Sequence, residues 1–543
     1  IVDDAINGEG LSQSARMAII GENAVYMVLL ALLAIAVGVL GIVFISNGTF
    51  RFGASLRKGL YRKVLGYSHA NIDKFSSASL VTRLTNDVTN VQNTFIQTLR
   101  MVTFTAAMFT GALINALSVS AKLALVTVFA VPVIAVIVTI IVTKGFPLFE
   151  KMQQRIDNLN RRVQESVTNI RVIKSFVRED HEKAKFYDAA DRLCDISVKA
   201  SGLMVTIMPL MQLVMNLTTV GALWLGGNMV QSGEIAIGGL MSYSTYIMHI
   251  LMSMMMMSMA IMMFSRARAS AARLKEVLAE QSTITDPEHP VTAPVQKGEV
   301  EFRHVSFRYN ETSPDLVLDD VSFTAHPGEV IAVVGATGSA KSSLVNLIPR
   351  LYDATDGQVL VDGVDVRDYA IRTLREGIGM VPQQNVLFSG TIADNIRWGD
   401  PDATDDEVEQ AARDAQAHDF IMSFPEGYQT MLSQGGVNVS GGQKQRLCIA
   451  RAMIKKPRVL ILDDSTSAVD SDTEGRIRES FSQHLKGTTV FIIAQRISSI
   501  KTADRILVLD SGKVAGFGTH EELIASNTIY QEIVSSQQKG VSA

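Results

Sequence analysis

Cysteine, tryptophan and charge are all in short supply in this chain. Its 543 residues include two cysteines, Cys194 and Cys448, and two tryptophans. Thiols this far apart do not suggest a disulfide framework, and two inert cysteines are expected. Charged residues make up only 19% of the sequence, below the roughly 25% of an average soluble domain. Fifty Lys and Arg against 54 Asp and Glu leave a net charge of −4, so no basic footprint addresses a nucleic acid. Hydrophobic residues reach 47% and mean hydropathy is +0.20, too apolar for one soluble enzyme. The length exceeds a single domain. The apolar residues also crowd into the part before about residue 265, and the remainder of the chain reads as ordinary globular sequence.

A membrane-crossing helix needs about 20 mostly apolar residues. Five stretches meet that demand: 24–45, 101–117, 123–142, 202–230 and 235–264. Lys and Arg placement orients them. Arg51, Arg57, Lys58, Arg62 and Lys63 follow the first span, Lys144, Lys151 and Arg155 follow the third, and Arg266, Arg268 and Arg273 leave the last. These long basic segments face the cytoplasm, which puts residue 1 outside. Ile1 begins the sequence without a signal-peptide pattern, so one further span is expected to have preceded it. Methionine is plentiful at 24 residues. Met204, Met208, Met211 and Met215 recur at helical spacing, and Met252, Met254–Met257, Met259, Met262 and Met263 crowd the final span. Two uses stay open for them: helix packing, or a permissive wall around varied apolar molecules.

Beyond a Pro-bearing linker at 281–297, the pattern changes. Val330–Val334 is a buried strand leading into Gly335-Ala336-Thr337-Gly338-Ser339-Ala340-Lys341-Ser342-Ser343 and then a helix. A phosphate-binding loop needs this strand–loop–helix context, because successive backbone N–H groups cradle phosphate oxygens. Lys341 would reach the β- and γ-phosphates, and the Ser342 hydroxyl would help hold Mg²⁺. Ala340 stands where glycine normally precedes the lysine; if that position needs a positive φ, its methyl costs about 1–2 kcal/mol. A second apolar strand, Val459–Leu462, ends in Asp463, a carboxylate able to hold Mg²⁺, and then in Asp464, where a water-activating base belongs. Ser440-Gly441-Gly442-Gln443 opens a helix with a hydroxyl and small residues, an anion-binding kind of helix start.

With those motifs, the chain resembles the ATP-binding-cassette (ABC) family. Across its whole length it is similar to the half-transporters of heterodimeric multidrug-type exporters. The resemblance implies an α-helical transmembrane domain (1–280) with its first span absent from this chain, the linker, and an α/β P-loop nucleotide-binding domain (298–543). It implies ATP and Mg²⁺ as cofactors. It makes Tyr309 the adenine-stacking residue, Gln383 a Mg²⁺-sensing residue, and Ser440, Gly441, Gly442 and Gln443 the signature that faces an ATP held by another subunit. Ser467–Asp470 would cross the dimer interface. Two stretches, 75–87 and 165–176, would dock the membrane domain onto nucleotide-binding domains. Asp464 departs from the family's usual Glu, Gln495 from its usual His, and Gln434 from a common Glu. The implied protein binds ATP at its own site but hydrolyses it poorly there. Its partner would be a second half-transporter with an intact catalytic Glu and switch His. Its surroundings would be plasma-membrane lipid and its cargo hydrophobic or amphipathic small molecules. The alternatives are a homodimeric lipid or peptide translocator, and an ATP-gated channel or regulator.

Overall fold

The computed structural model describes residues 3, 12–310, 313–464, 471–493 and 501–541. The chain forms two compact units, Ile1–Leu65 with Ala78–Ala279, and Gly66–Ser77 with Glu280–Ala543. The first is all helix: α1 (Gln13–Leu65), α3 (Ser77–Thr82), α4 (Val88–Val119), α5 (Ala121–Thr168), α6 (Ile170–Ser175), α7 (Glu179–Gln231) and α8 (Ile237–Ala279), with α2 (His69–Phe75) assigned to the other unit. Where no water can satisfy backbone polar groups, only a continuous helix or a closed barrel is stable, which is why the apolar stretches fold this way. At 1.5 Å per residue, the 53 residues of α1 span about 80 Å, far more than a hydrocarbon core of about 30 Å. Among the described residues, Gln13–Leu65, Ser77–Val119 and Pro209–Gln231 contain stretches long and apolar enough to cross a bilayer, and Ala121–Ile137 is a shorter apolar one. The expected spans at 24–45, 101–117, 123–142 and 202–230 lie within α1, α4, α5 and α7, and the last corresponds to the first part of α8.

Helix α4 packs along α8, and α5 along α7. A core of Leu123, Ile134, Tyr243, Ile247, Ile250 and Leu251 joins them, and the Tyr243 and Thr127 hydroxyls lie 2.8 Å apart. Met211 is buried in this core, and Met215, Met254 and Met255 pack against it, whereas Met252 is exposed. The methionines therefore divide between packing and open surface. The side chains of Met204, Met208, Met259, Met262 and Met263 lie outside the described residues.

One polar joint ties the helical extensions together. A π-turn, Arg83–Asp87, ends in a nearly fully buried carboxylate. Asp87 accepts from Arg273 Nε at 2.8 Å, from Arg273 Nη2, and from Ser270 Oγ at 2.8 Å. The Arg273 guanidinium holds the Asp87 carboxyl below the usual range.

The second unit is α/β. Strands β1 (Val300–Phe307), β2 (Leu318–Ala325), β4 (Asp356–Val361) and β5 (Val364–Asp365) form an antiparallel sheet ordered β2-β1-β4-β5. A six-stranded sheet takes β3 (Val330–Val334), β6 (Ile378–Val381), β9 (Val459–Asp463), β10 (Thr489–Ile493), β11 (Arg505–Asp510) and β12 (Lys513–Gly518) in the order β12-β11-β3-β10-β9-β6. A small pair, β7 (Gly390–Thr391) and β8 (Met431–Leu432), completes the strands. Side chains alternate across the six-stranded sheet, as a strand's period of two requires. Ile331, Val333, Ile461 and Phe491 face α9 (Lys341–Leu347), α10 (Ile371–Glu376) and the antiparallel sheet, while Ala332, Val334, Leu462 and Ile492 face α11 (Ile392–Arg397), α12 (Asp405–Asp414), α13 (His418–Met422) and α14 (Gly441–Met453). The Pro-bearing stretch packs on this unit, with Ile284 and Val295 buried.

The stretch expected to dock, 75–87, is divided between the two units. The segment assigned to the nucleotide-binding unit is Gly66–Ser77, which carries α2, and from Ala78 onward the chain belongs to the helical unit. Of the 75–87 stretch only residues 75–77 fall in that unit, and Ser68, Asn71 and Asp73, whose side chains bond to the rest of it, precede the stretch.

Replacing Arg273 by Met should destabilise the membrane unit by about 3–5 kcal/mol, because the buried Asp87 charge is left unpaired. Asp87→Asn should cost less, since the half-exposed guanidinium can hydrate. Thermal unfolding of the two variants in detergent would check this; equal melting would refute it.

Candidate functional site

Parallel pairing sets the site. Ile493 of β10 sits opposite Asp463 of β9 and Val333 of β3, and Val381 of β6 sits opposite Leu462. The C-terminal ends of four strands therefore reach one edge, the usual ligand position for an open parallel sheet. A cavity of about 650 Å³ opens there, lined by Gly335–Gly338, Ala340–Ser343, Gln383, Asp463, Asp464 and Ile493. The tertiary fold thus gathers the phosphate-loop residues, Gln383 and both carboxylates around one space. Ile533 and Ser536, from the C-terminal helix, also line it; no sequence signal marked them.

The loop keeps its shape through backbone freedom at two glycines. A Cβ on Gly335 would lie 2.2 Å from the Leu509 carbonyl oxygen, and Gly338 has φ +85°. Ala340 also adopts the left-handed region, with φ 73° and ψ 20°, so its methyl carries the cost foreseen for a positive φ. Lys341 Nζ folds back over the loop, donating to the Gly335 and Ala336 carbonyls at 3.0 and 2.8 Å and to Ser339 Oγ at 3.4 Å. Burial lowers its pKa, opposed by the charges of Asp463 and Asp464.

Beneath the lysine, Ser342 Oγ donates to Asp463 Oδ1 at 3.0 Å. Asp463 is 5% exposed, and burial raises its pKa. A buried carboxylate with one hydroxyl neighbour, opening on a cavity that also contains an amide, is an all-oxygen donor set that suits a hard cation such as Mg²⁺. Asp464 follows in a left-handed conformation, φ 48°, a region in which Asp is over-represented among non-glycine residues. Its N–H donates to the Ile493 carbonyl at 3.1 Å, and Gln445 of α14 donates to its carbonyl at 3.3 Å. Gln445 was not among the expected site residues.

Tyr309 stands beside the loop, its hydroxyl 2.8 Å from Ser343 Oγ, and the residue is 49% exposed. Ser440 caps α14: its Oγ accepts from Gln443 N–H at 3.3 Å, and Gln443 Oε1 accepts from Ser440 N–H at 2.9 Å. Ser440 and Gly441 are exposed and do not line the cavity, so the signature segment is separate from this chain's own phosphate loop. Gln495 and Ser467–Asp470 lie outside the described residues.

Comparison with known proteins gives the same division. A family model described as the ABC transporter transmembrane region matches residues 3–255, and one described as ABC transporter matches residues 318–467. The ABC transporter ATP-binding protein YfiB of Bacillus subtilis (strain 168), itself named as uncharacterized, is 40% identical over 543 residues, covering 99% of this chain and 92% of YfiB. The chain belongs to the ABC transporter family. YgaD of the same organism, provisionally named a multidrug export ATP-binding/permease protein, is 32% identical over 537 residues, covering 99% of this chain and 92% of YgaD. A solved structure of a bacterial Atm1-family ABC exporter with ATP bound superposes with a TM-score of 0.83 at 27% identity, covering 99% of this chain and 93% of that one. This ABC transporter is accordingly an exporter-type half-transporter: a multi-pass plasma-membrane protein with a cytoplasmic ATPase domain, of a class that works as dimers.

Ala340→Gly should stabilise the nucleotide-binding unit by about 0.5–1 kcal/mol. Relief of about 1–2 kcal/mol in the left-handed region is partly offset by about 0.4–1 kcal/mol of added unfolded-chain entropy. Denaturant unfolding with and without ATP would check it. A less stable variant would mean that the packing of the Ala340 methyl against the core outweighs its strain.

Proposed function

We propose that this chain is the ATP-binding and permease subunit of a heterodimeric exporter of hydrophobic or amphipathic compounds, with a degenerate ATP site of its own. The observation that carries this reading is Asp464 at the mouth of β9, lining the phosphate-loop cavity directly after Asp463. In hydrolysis, water attacks the γ-phosphorus, its proton passes to a base, and the bond to the β-phosphate oxygen breaks. In this reading Lys341 neutralises the phosphates and Tyr309 carries the adenine. Ser342, Asp463 and Gln383 would hold Mg²⁺, which would supply charge neutralisation. The base is the weak part. Asp is one methylene shorter than the Glu the family resemblance leads one to expect, so its carboxylate retreats by about 1.5 Å. A displacement of about 1 Å can cost about 100-fold, and a well-placed base supplies about 10²–10⁴-fold. Most of that is lost, worth roughly 3–5 kcal/mol of barrier. Gln495 cannot relay a proton as imidazole can.

A partner subunit then completes the machine. The Ser440 signature, exposed and apart from this chain's own loop, would close over an ATP on the partner's phosphate loop. Helix α6 and the two residues after it leave Ile170, Val172, Phe176 and Val177 about half to four-fifths exposed, an apolar tip suited to docking on a second subunit. The provisional naming of YgaD for multidrug export and the exposed Met252 both support an apolar cargo. Purifying the chain with its natural companion tests the assembly: a bound half-transporter bearing Glu and His at the positions of Asp464 and Gln495 is expected. A stable, fully active homodimer would overturn it.

Asp464→Glu alone should leave hydrolysis at this site well below that of an intact site. The left-handed backbone at 464 suits Glu less than Asp, and Gln495 remains. ATPase with the partner's catalytic Glu disabled measures this, and near-normal turnover would refute it. Ser440→Arg should abolish most transport while this chain's own ATP binding persists, because the change removes the helix cap and puts a bulky cation where γ-phosphate must enter. Efflux and nucleotide binding measured side by side would decide; unchanged efflux would refute the composite site.

A further inference from the structure

Short helix α2 sits between α1 and α3 in the chain, yet belongs to the nucleotide-binding unit. Most of what fixes it leads to one place. Asn71, 1% exposed, donates to Glu280 Oε1 at 2.9 Å and to the Gln281 carbonyl at 3.0 Å, and accepts from Thr283 N–H at 3.2 Å. Ser68 Oγ lies 2.7 Å from Thr283 Oγ1, and Lys74 pairs with Glu280 at 2.8 Å. None of Glu280, Gln281 or Thr283 lines the nucleotide cavity.

Asp73 points elsewhere. Its Oδ2 accepts a 2.6 Å hydrogen bond from the Tyr352 hydroxyl, short and charge-assisted. The Tyr352 ring packs edge-on against Tyr309, centroids 5.1 Å apart at 88°, and lies 5.7 Å from Phe307 and 5.9 Å from His69 of α2. Tyr309 is in turn bonded to Ser343 of the phosphate-loop helix. Burial, reinforced by the Asp73 carboxylate, pushes the Tyr352 phenol well above its ordinary pKa, so it remains a donor throughout the physiological pH range. A continuous chain of ring and hydrogen-bond contacts therefore runs from the phosphate loop through Tyr309 and Tyr352 to α2.

We infer that Tyr352 is a positioning residue: its hydrogen bond to Asp73 passes the presence of an adenine ring stacked on Tyr309 to the helix that leads into the membrane segments. This rests on the reading of Tyr309 as the adenine platform. An adenine on the exposed face of Tyr309 restricts that ring, and the edge-on contact restricts Tyr352. The restricted hydroxyl in turn holds Asp73, and with it α2. The signal comes from the base and is separate from anything the γ-phosphate does.

The test uses the full dimer reconstituted in lipid, with amide hydrogen exchange across α2, ATP affinity, and transport per ATP hydrolysed. In the wild type, ATP should slow exchange in α2, and tripolyphosphate, which lacks a base, should not. Tyr352→Phe keeps the ring and removes the hydroxyl. It should bind ATP within about twofold of wild type, lose the ATP-specific protection, and transport about tenfold less per ATP, as expected for one hydrogen bond to a charged group. Asp73→Ala should match it, the double variant should be no worse, and Asp73→Asn, which still accepts, should recover much of the effect. Wild-type protection and coupling in Tyr352→Phe would overturn the inference, as would protection by tripolyphosphate in the wild type. A purely structural role predicts lower thermal stability with ATPase and transport falling in parallel, which would also overturn it. Tyr309→Ala tests the underlying reading separately: unchanged ATP affinity there would remove the platform itself, whatever Tyr352→Phe does.

Discussion

Parallel pairing of β3, β10 and β9 is the constraint on which the ATP-handling half of the molecule depends. Parallel strands share a direction, so the segments that leave their C-terminal ends emerge at the same edge. Here the loop after β3, the carboxylates ending β9, Ile493 at the end of β10 and Gln383 just after β6 are brought together by the strand register. The strands are buried on both faces by two separate apolar clusters, so a slip of one residue would turn both faces inside out. The geometry of the site is thus locked by the core beneath it, and Asp463 and Lys341 sit in a partly desolvated environment where electrostatic interactions are strong.

Two residues at that edge differ from what the family resemblance leads one to expect, and both occupy left-handed backbone: Ala340 and Asp464. They bear on the site differently. Ala340 retains the loop's shape at a steric cost, because a methyl stands where glycine is free. Asp464 fits its backbone more easily than a longer acid would, and reaches less far into the cavity. Under the function proposed above, the local conformation and the shortened side chain act in the same direction, toward holding nucleotide rather than cleaving it.

The membrane half answers to a different rule. Without water to satisfy the backbone, long apolar stretches become helices whatever their packing, and specificity lies in the few polar joints between them. The Tyr243–Thr127 contact and the Asp87–Arg273–Ser270 cluster are such joints. The methionines fill the space between helices where they are buried, and Met252 offers polarizable surface where it is not.

Apolar runs of about 20 residues, strand alternation and the Gly-rich turn after Val334 were legible in the sequence because each is a local property of a short segment. So was the identity of Asp464, since a carboxylate following a buried strand needs no tertiary information. The positive φ of Asp464 was not legible, because it arises where β9 leaves the sheet and its N–H is taken by Ile493. Nor was the placement of α2: the contact of Tyr352 with Asp73 joins residues 279 positions apart, and neither carries a motif. Sequence pattern fixes what a segment does by itself. Which distant side chains meet is set by how sheets, loops and helices close on one another, and only the tertiary structure decides that.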